Sequence, residues 1–252
     1  MSIRERAYKP NGLIATSALP LAYLNMPKAA CSTIKNILYY LEMGSWFSDP
    51  LGIHRHIQQG STLLCGSALA KHRHQTTLQR PYITFTFVRH PGRRAYSAFI
   101  EKIWFIHPYS FPRIRCFLQD SRSMVVADST DEASLPVVRS AFSLFLDFVL
   151  DNLAGKSPFP PNPHWASQFS RLRNFRPADD ISFVGRVETF RQDMTALLSM
   201  ASYAENTAAL AGKRFNEGAT PPFAYEEVLD AAIAEKLLTI YKSDYLAFGY
   251  KD

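Results

Sequence analysis

Hydrophobic and polar positions along this chain fall into blocks of two kinds. Leu21 to Met26 is an apolar run closed by Pro27, and it reads as a buried strand. Tyr82 to Val88 (Tyr-Ile-Thr-Phe-Thr-Phe-Val) is rich in β-branched and aromatic residues and reads as a second strand. Ile181 to Val184 reads as a third. Each is followed by helical periodicity: Ile34 to Leu41, Arg93 to Trp104, and about Glu188 to Met200. Three strand-then-helix units predict an α/β fold in three layers, a central parallel sheet flanked by helices, with ligands at the strand C-termini. Two further helices are predicted. One runs from about Val138 to Leu153 with Phe142, Phe145, Leu146 and Val149 on one face, and the other spans roughly Tyr225 to Tyr245. Ser157 to Pro163 holds four prolines and reads as a loop. Between Pro108 and Pro136 the pattern is weak, which predicts a surface excursion able to shape a substrate cleft (108–136).

Composition narrows this little. With 252 residues, the chain is expected to form a single domain over 1–252. Its net charge of +6 is a mild bias toward anionic ligands. Three cysteines and no zinc-type Cys/His spacing argue against a disulfide framework or a structural metal, and for a reducing compartment. The first residues are charged and lack a signal-peptide core, and no run reaches the length of about 18 apolar residues expected of a membrane span. The expected location is therefore the cytoplasm.

The chemistry concentrates where strands end. Pro27-Lys-Ala-Ala-Cys-Ser-Thr33 places a lysine, small residues and two hydroxyls at a helix N-terminus. Unsatisfied N–H groups and partial positive charge there suit a phosphate or sulfate. It is not a Walker A loop, because the lysine precedes the small residues. An ordinary strand–helix turn, with Ser32 capping, stays open on this passage alone. Val88-Arg89-His-Pro-Gly-Arg-Arg-Ala-Tyr-Ser97 again ends a strand with a cation and opens a helix with hydroxyl and basic groups. Of Arg93 and Arg94, one reads as solvated helix face.

Together these passages resemble the nucleotide-binding elements of the sulfotransferases, most strongly the carbohydrate sulfotransferases of the chondroitin, dermatan and HNK-1 type. Asn162-Pro-His-Trp165, Phe183-Val-Gly-Arg-Val-Glu-Thr189 and the tail Leu238 to Tyr250 are similar to further stretches of that group. The resemblance implies a fold related to P-loop kinases. It also implies 3′-phosphoadenosine 5′-phosphosulfate (PAPS) as cosubstrate without a metal, and transfer of a sulfuryl group to a hydroxyl of a carbohydrate or glycoconjugate. Lys28 would contact the transferring group. Ala29, Ala30, Cys31, Ser32 and Thr33 would lie around the 5′-phosphate, and Arg89 and Ser97 would hold the 3′-phosphate. Gly185 and Arg186 would lie near the adenine, and Lys213 or Arg214 in a late loop would close over the nucleotide. The chain departs from its relatives in having Arg171 to Arg176 where they carry a cysteine pair after His-Trp.

The acceptor hydroxyl needs a base. The candidates are His164, after the proline-rich loop, and His56 and His54, after the first helix. His72 and His74 read as a solvated basic turn. Two other readings stand beside this one: a P-loop-related nucleotide kinase, and a non-catalytic basic protein binding anions or glycans. No nucleic-acid-binding signature occurs. Acceptor identity, oligomeric state and docking at a membrane surface stay open.

Overall fold

The sheet is ordered around one buried strand, β4 (Ile83–Val88). The structure, a computed structural model, describes residues 13–59, 63–65, 68–69, 72, 82–126, 133–175, 181–215 and 220–251. Among these, β1 (Leu13–Ala15), β2 (Leu21–Leu24), β3 (Leu64–Cys65), β4 and β5 (Phe183–Arg186) form a five-stranded sheet in the order β3-β1-β2-β4-β5. β2, β4 and β5 run parallel, with Tyr23 opposite Phe85 and Val88 opposite Arg186. β1 is antiparallel to both of its neighbours, so the sheet is mixed: parallel at its centre and antiparallel toward the β3 edge. The reversal comes from the short Thr16–Pro20 connection, in which the Thr16 hydroxyl donates to Leu19 O at 2.7 Å. A connection this short can join only antiparallel strands.

The chain divides into two compact units. The sheet unit comprises the described residues of 13–89 and 174–215. It carries α1 (Cys31–Met43), α2 (Ile53–Gln58), α7 (Phe190–Met200) and α8 (Thr207–Gly212). Leu21, Tyr23, Phe85 and Phe87, at alternate strand positions, pack with Ile34, Ile37 and Leu38 of α1 and with Met194 and Leu197 of α7. Every residue of β2 is buried, and in β4 only Ile83 is half-buried, as expected of strands shielded on both faces.

The helical unit comprises the described residues of 90–173 and 220–251. It holds α3 (Pro91–Phe99), α4 (Pro112–Arg122), α5 (Leu135–Leu153), the short α6 (Gln168–Asn174, whose last residue falls in the sheet unit), α9 (Tyr225–Val228) and α10 (Ala231–Phe248). α3 runs directly into a wide π turn at Ile100–Trp104, where Phe105 N–H reaches Ile100 O. Its core is aromatic: Phe99, Trp104, Phe142, Phe145, Phe148 and Trp165 are all fully buried. The expected α5 face is the buried one. Part of the 108–136 stretch, expected as a surface excursion, is α4, whose Ile114 and Leu118 enter that core. The predicted last helix is two helices. Leu229 leaves the helical region, and Asp230 caps α10 by accepting from Ile233 N–H at 2.9 Å. No helix among the described residues is long and apolar enough to cross a membrane.

Candidate active site

The turn between β2 and α1 is the most constrained backbone in the sheet unit. Lys28 and Ala30 both have positive φ, at 67° and 58°. Neither is glycine, so each costs on the order of 1 kcal/mol relative to a relaxed conformation. Left-handed residues among helical neighbours turn successive amides to one side, the geometry of an anion nest. Ala30 is the N-cap of α1 and offers no side-chain cap, and no acidic residue lies in the helix's first turn. The positive end of the helix therefore keeps its charge uncompensated from within α1. The turn is pinned from behind: Tyr23 hydroxyl receives Met26 N–H at 3.1 Å, Ala29 N–H reaches Met26 O at 3.3 Å, and Ala29 is fully buried.

Parallel pairing of β2 and β4 brings the next strand end to the same place. Arg89, the first residue beyond β4, donates from Nη1 to Lys28 O at 3.4 Å. Lys28 and Arg89, 61 residues apart, thus meet at one turn, as ligand-binding groups do at strand C-termini in α/β sheets.

The hydroxyls of the turn have separate partners. Ser32 Oγ lies 2.8 Å from His54 Nε2, and His54 Nδ1 lies 2.8 Å from Lys35 Nζ. Thr33 Oγ1 donates to Phe215 O and accepts from Phe215 N–H, both at 3.1 Å. That double bond fastens the 213–215 segment to the first turn of α1. In the same segment Lys213 Nζ stands 5.6 Å from the Trp46 ring, which stacks on Tyr40 and touches Phe215. Cys31 is half-buried and reduced.

Other expected residues have different settings. Gly185 is buried in β5, where a Cβ would stand 2.6 Å from the Phe87 ring, so packing alone requires glycine there. Arg186 is exposed at the end of β5; its N–H donates to Asp193 Oδ2 at 2.7 Å. His56 packs its ring against Tyr39 and Phe47, and its Nε2 is buried without a hydrogen bond. His72, expected in a solvated turn, is instead half-buried and bonded to Tyr82 hydroxyl at 3.0 Å; His74 lies outside the described residues.

The helical unit holds Ser97, half-buried on α3, and His164. His164 sits in a built loop. Asn162 Oδ1 accepts from His164 N–H at 3.0 Å and from Nδ1 at 2.7 Å, which leaves the imidazole lone pair on Nε2. The loop's carbonyls are held in turn. Arg94, 1% exposed, donates to Pro163 O and Ala166 O, each at 2.8 Å, and Tyr241 hydroxyl donates to Trp165 O at 2.9 Å. Trp165 Nε1 donates to Asn152 Oδ1 at 2.8 Å. Arg93, by contrast, is the solvated one, paired with Glu226 at 2.5 Å.

Sequence reasoning missed Lys35, Asn152 and Arg94 as supports. Only Lys35 carried a signal, lying three residues after Ser32 and so on the same helical face. Among the described residues no group of His, Cys, Asp and Glu has the arrangement of a metal site.

A parallel sheet centre whose second strand runs into a left-handed turn at a helix N-terminus, with cations gathered there, is the architecture of a nucleotide- or anion-binding α/β protein. The sequence takes the assignment further: residues 12–251 match the sulfotransferase family, and the chain belongs to that family. It is 27% identical to carbohydrate sulfotransferase 12 of Mus musculus over 263 residues, covering 96% of this chain and 61% of that protein. Against carbohydrate sulfotransferase 11 of Mus musculus it is 25% identical over 264 residues, covering 99% and 71%. Against carbohydrate sulfotransferase 8 of Homo sapiens it is 29% identical over 241 residues, covering 90% and 53%. The chain thus spans between 53% and 71% of the length of these relatives. No solved structure matches it significantly.

Proposed function

We propose that this protein transfers the sulfuryl group of PAPS to a hydroxyl of a carbohydrate or glycoconjugate. The observation that carries the reading is the meeting of Lys28 and Arg89 at a turn with two left-handed, non-glycine residues. Strain of that kind persists where the surrounding structure enforces it, and it clusters at ligand-binding sites. Family membership supports sulfuryl transfer, and the names of the three relatives support a carbohydrate acceptor.

On this reading the amides of Ala30 to Thr33 and the Ser32 hydroxyl bind the 5′-phosphate. The Lys28 ammonium faces the oxygen bridging phosphorus and sulfur. As the acceptor oxygen bonds to sulfur and the bridging S–O bond breaks, negative charge collects on that oxygen, and a fixed cation stabilises it more in the transition state than in the ground state. The acceptor's proton passes to a base. His164 as that base rests on the sequence reading; within the helical unit its Nδ1 donates to Asn162 Oδ1. The roles of Arg89 and Ser97 toward the 3′-phosphate, of Gly185 and Arg186 near the adenine, and of Lys213 over the nucleotide rest on the resemblance.

Isothermal titration with 3′,5′-adenosine bisphosphate tests the donor site. Micromolar binding is expected, weakened roughly 10- to 100-fold by Arg89→Ala, as for loss of a charge-assisted hydrogen bond. Lys28→Ala should lower transfer of radiolabelled sulfate on the order of 10²–10³-fold, with bisphosphate affinity changed far less. No binding by the wild type overturns the reading, and preference for ATP with Mg²⁺ favours a nucleotide kinase instead.

A further inference from the structure

We propose that His54 is a positioning residue for the donor site, which sets the direction of the Ser32 proton. This rests on the reading of the Lys28–Thr33 turn as the 5′-phosphate site.

The argument follows from what each group can donate. A lysine ammonium has donors and no acceptor, so at 2.8 Å the Lys35 Nζ must donate to His54 Nδ1. A neutral imidazole that accepts at Nδ1 carries its hydrogen on Nε2. The Nε2–H then donates to Ser32 Oγ, also at 2.8 Å. With its oxygen engaged as an acceptor, Ser32 is left to use its own proton as a donor. A phosphate needs donors and rejects lone pairs, so a serine hydroxyl free to present either face is half wrong for it. The chain Lys35→His54→Ser32 removes the wrong half. It also removes His54 from the candidates for general base, since the lone pair a base would use is taken by an ammonium.

The three groups are set firmly enough to act this way. Lys35 is 5% exposed and Ser32 6% exposed, and they lie one turn apart on α1. His54 enters from α2. The segment leading to α2 is tied to the same turn of α1 by Asn36, whose Nδ2 donates to Ser32 O at 2.8 Å and to Pro50 O at 3.0 Å. A histidine present only for packing would not need both ring nitrogens engaged, one by a buried cation.

The test is binding of adenosine phosphates to the full chain by calorimetry. His54→Ala should weaken 3′,5′-adenosine bisphosphate about tenfold, the share of a hydrogen bond to a charged group. It should leave adenosine 3′-monophosphate, which lacks the 5′-phosphate, unchanged. His54→Gln should restore binding to within about threefold, because its amide oxygen can face Lys35 and its NH₂ can face Ser32. Ser32→Ala should add nothing to His54→Ala, the mark of residues acting as one unit. Equal bisphosphate affinity in wild type and His54→Ala, equal losses for both ligands, or additive losses with Ser32→Ala would each overturn the proposal while leaving the donor site standing. A wild type that binds no bisphosphate overturns both. Should His54→Ala fail to fold, the imidazole ¹⁵N shifts of the wild type decide: the Nε2–H tautomer is expected, and Nδ1–H is the result that sinks the idea.

Discussion

The turn after β2 and the loop before α6 are both held by a buried cation, but the cation acts on opposite things. In the sheet unit Lys35 reaches the turn through His54 and ends on a side-chain hydroxyl. In the helical unit Arg94 acts directly on main-chain carbonyls, those of Pro163 and Ala166. On the proposed reading, the first arrangement presents the backbone N–H groups of the turn and the Ser32 hydroxyl to the 5′-phosphate. The second occupies the carbonyl oxygens of Pro163 and Ala166, on either side of His164. An anion site needs a backbone that is strained and unspent, whereas a loop that presents a side chain needs a backbone that is fully spent. The φ angles agree: Lys28 and Ala30 are left-handed, and no residue from Ser157 to Ser167 is.

That contrast is broken most sharply at Arg94. Arg94→Met keeps much of the buried volume but leaves two half-buried carbonyls without the Arg94 donors. The expected cost is about 2–4 kcal/mol of stability, which lowers Tm by roughly 5–15 °C. The damage should centre on the 162–166 loop, so hydrogen exchange there should rise while exchange at Ala29 to Ile34 holds. Equal loosening of both regions would mean that the two loops are not independently supported.

The same contrast explains what could be read from the sequence. The central strands and the helices after them were legible because burial on both faces forces continuous apolar runs, as in Tyr82 to Val88. Lys28 and Arg89 were legible because strand ends locate ligands in α/β folds, whatever the surrounding side chains do. β1 was not, since three residues carry no period. α4 escaped because charged and aromatic residues interrupt its apolar stripe; Arg115 is itself buried, bonded to Trp104 O at 2.7 Å. Arg93 and Arg94 are adjacent and chemically identical in the sequence, yet one is solvated and the other sits deep in the unit. Only the tertiary structure, through the carbonyls that Arg94 meets, distinguishes them.

A smaller effect probes the sheet unit's turn. Thr33 spends its hydroxyl on Phe215 in both directions, so Thr33→Val removes two hydrogen bonds without changing side-chain size. The expected loss is about 1–2 kcal/mol, confined to docking of the 213–215 segment. Lys213 and Arg214 are exposed tryptic sites there. Limited proteolysis by trypsin at these two bonds should therefore quicken about tenfold, since cleavage follows the population of the opened segment. Unchanged cleavage would show that the Trp46 and Phe190 contacts of Lys213 and Arg214 hold the segment by themselves.

The smallest effect at neutral pH belongs to Tyr241, which backs the other loop through Trp165 O. Burial pushes its hydroxyl well above its ordinary value of 10; nearby Arg94 opposes this, and Asp244 and Tyr245 add to it. Tyr96, which donates to Phe223 O at 2.8 Å, is raised as well, by burial and then by Glu227. In the unfolded chain both phenols ionise near pH 10, while the folded chain keeps their protons. The unfolded state therefore binds fewer protons above about pH 10, and stability falls as pH rises past that point; below it the contribution is complete. Tyr241→Phe should cost about 1 kcal/mol at pH 7, by leaving Trp165 O without its donor. It should also flatten the loss of stability between pH 10 and 11, measured as urea midpoints. A variant that keeps the full alkaline slope would show that Tyr241 loses its proton in the folded state. In that case the carbonyl backing of the loop, unlike the backing of the turn after β2, would yield to water.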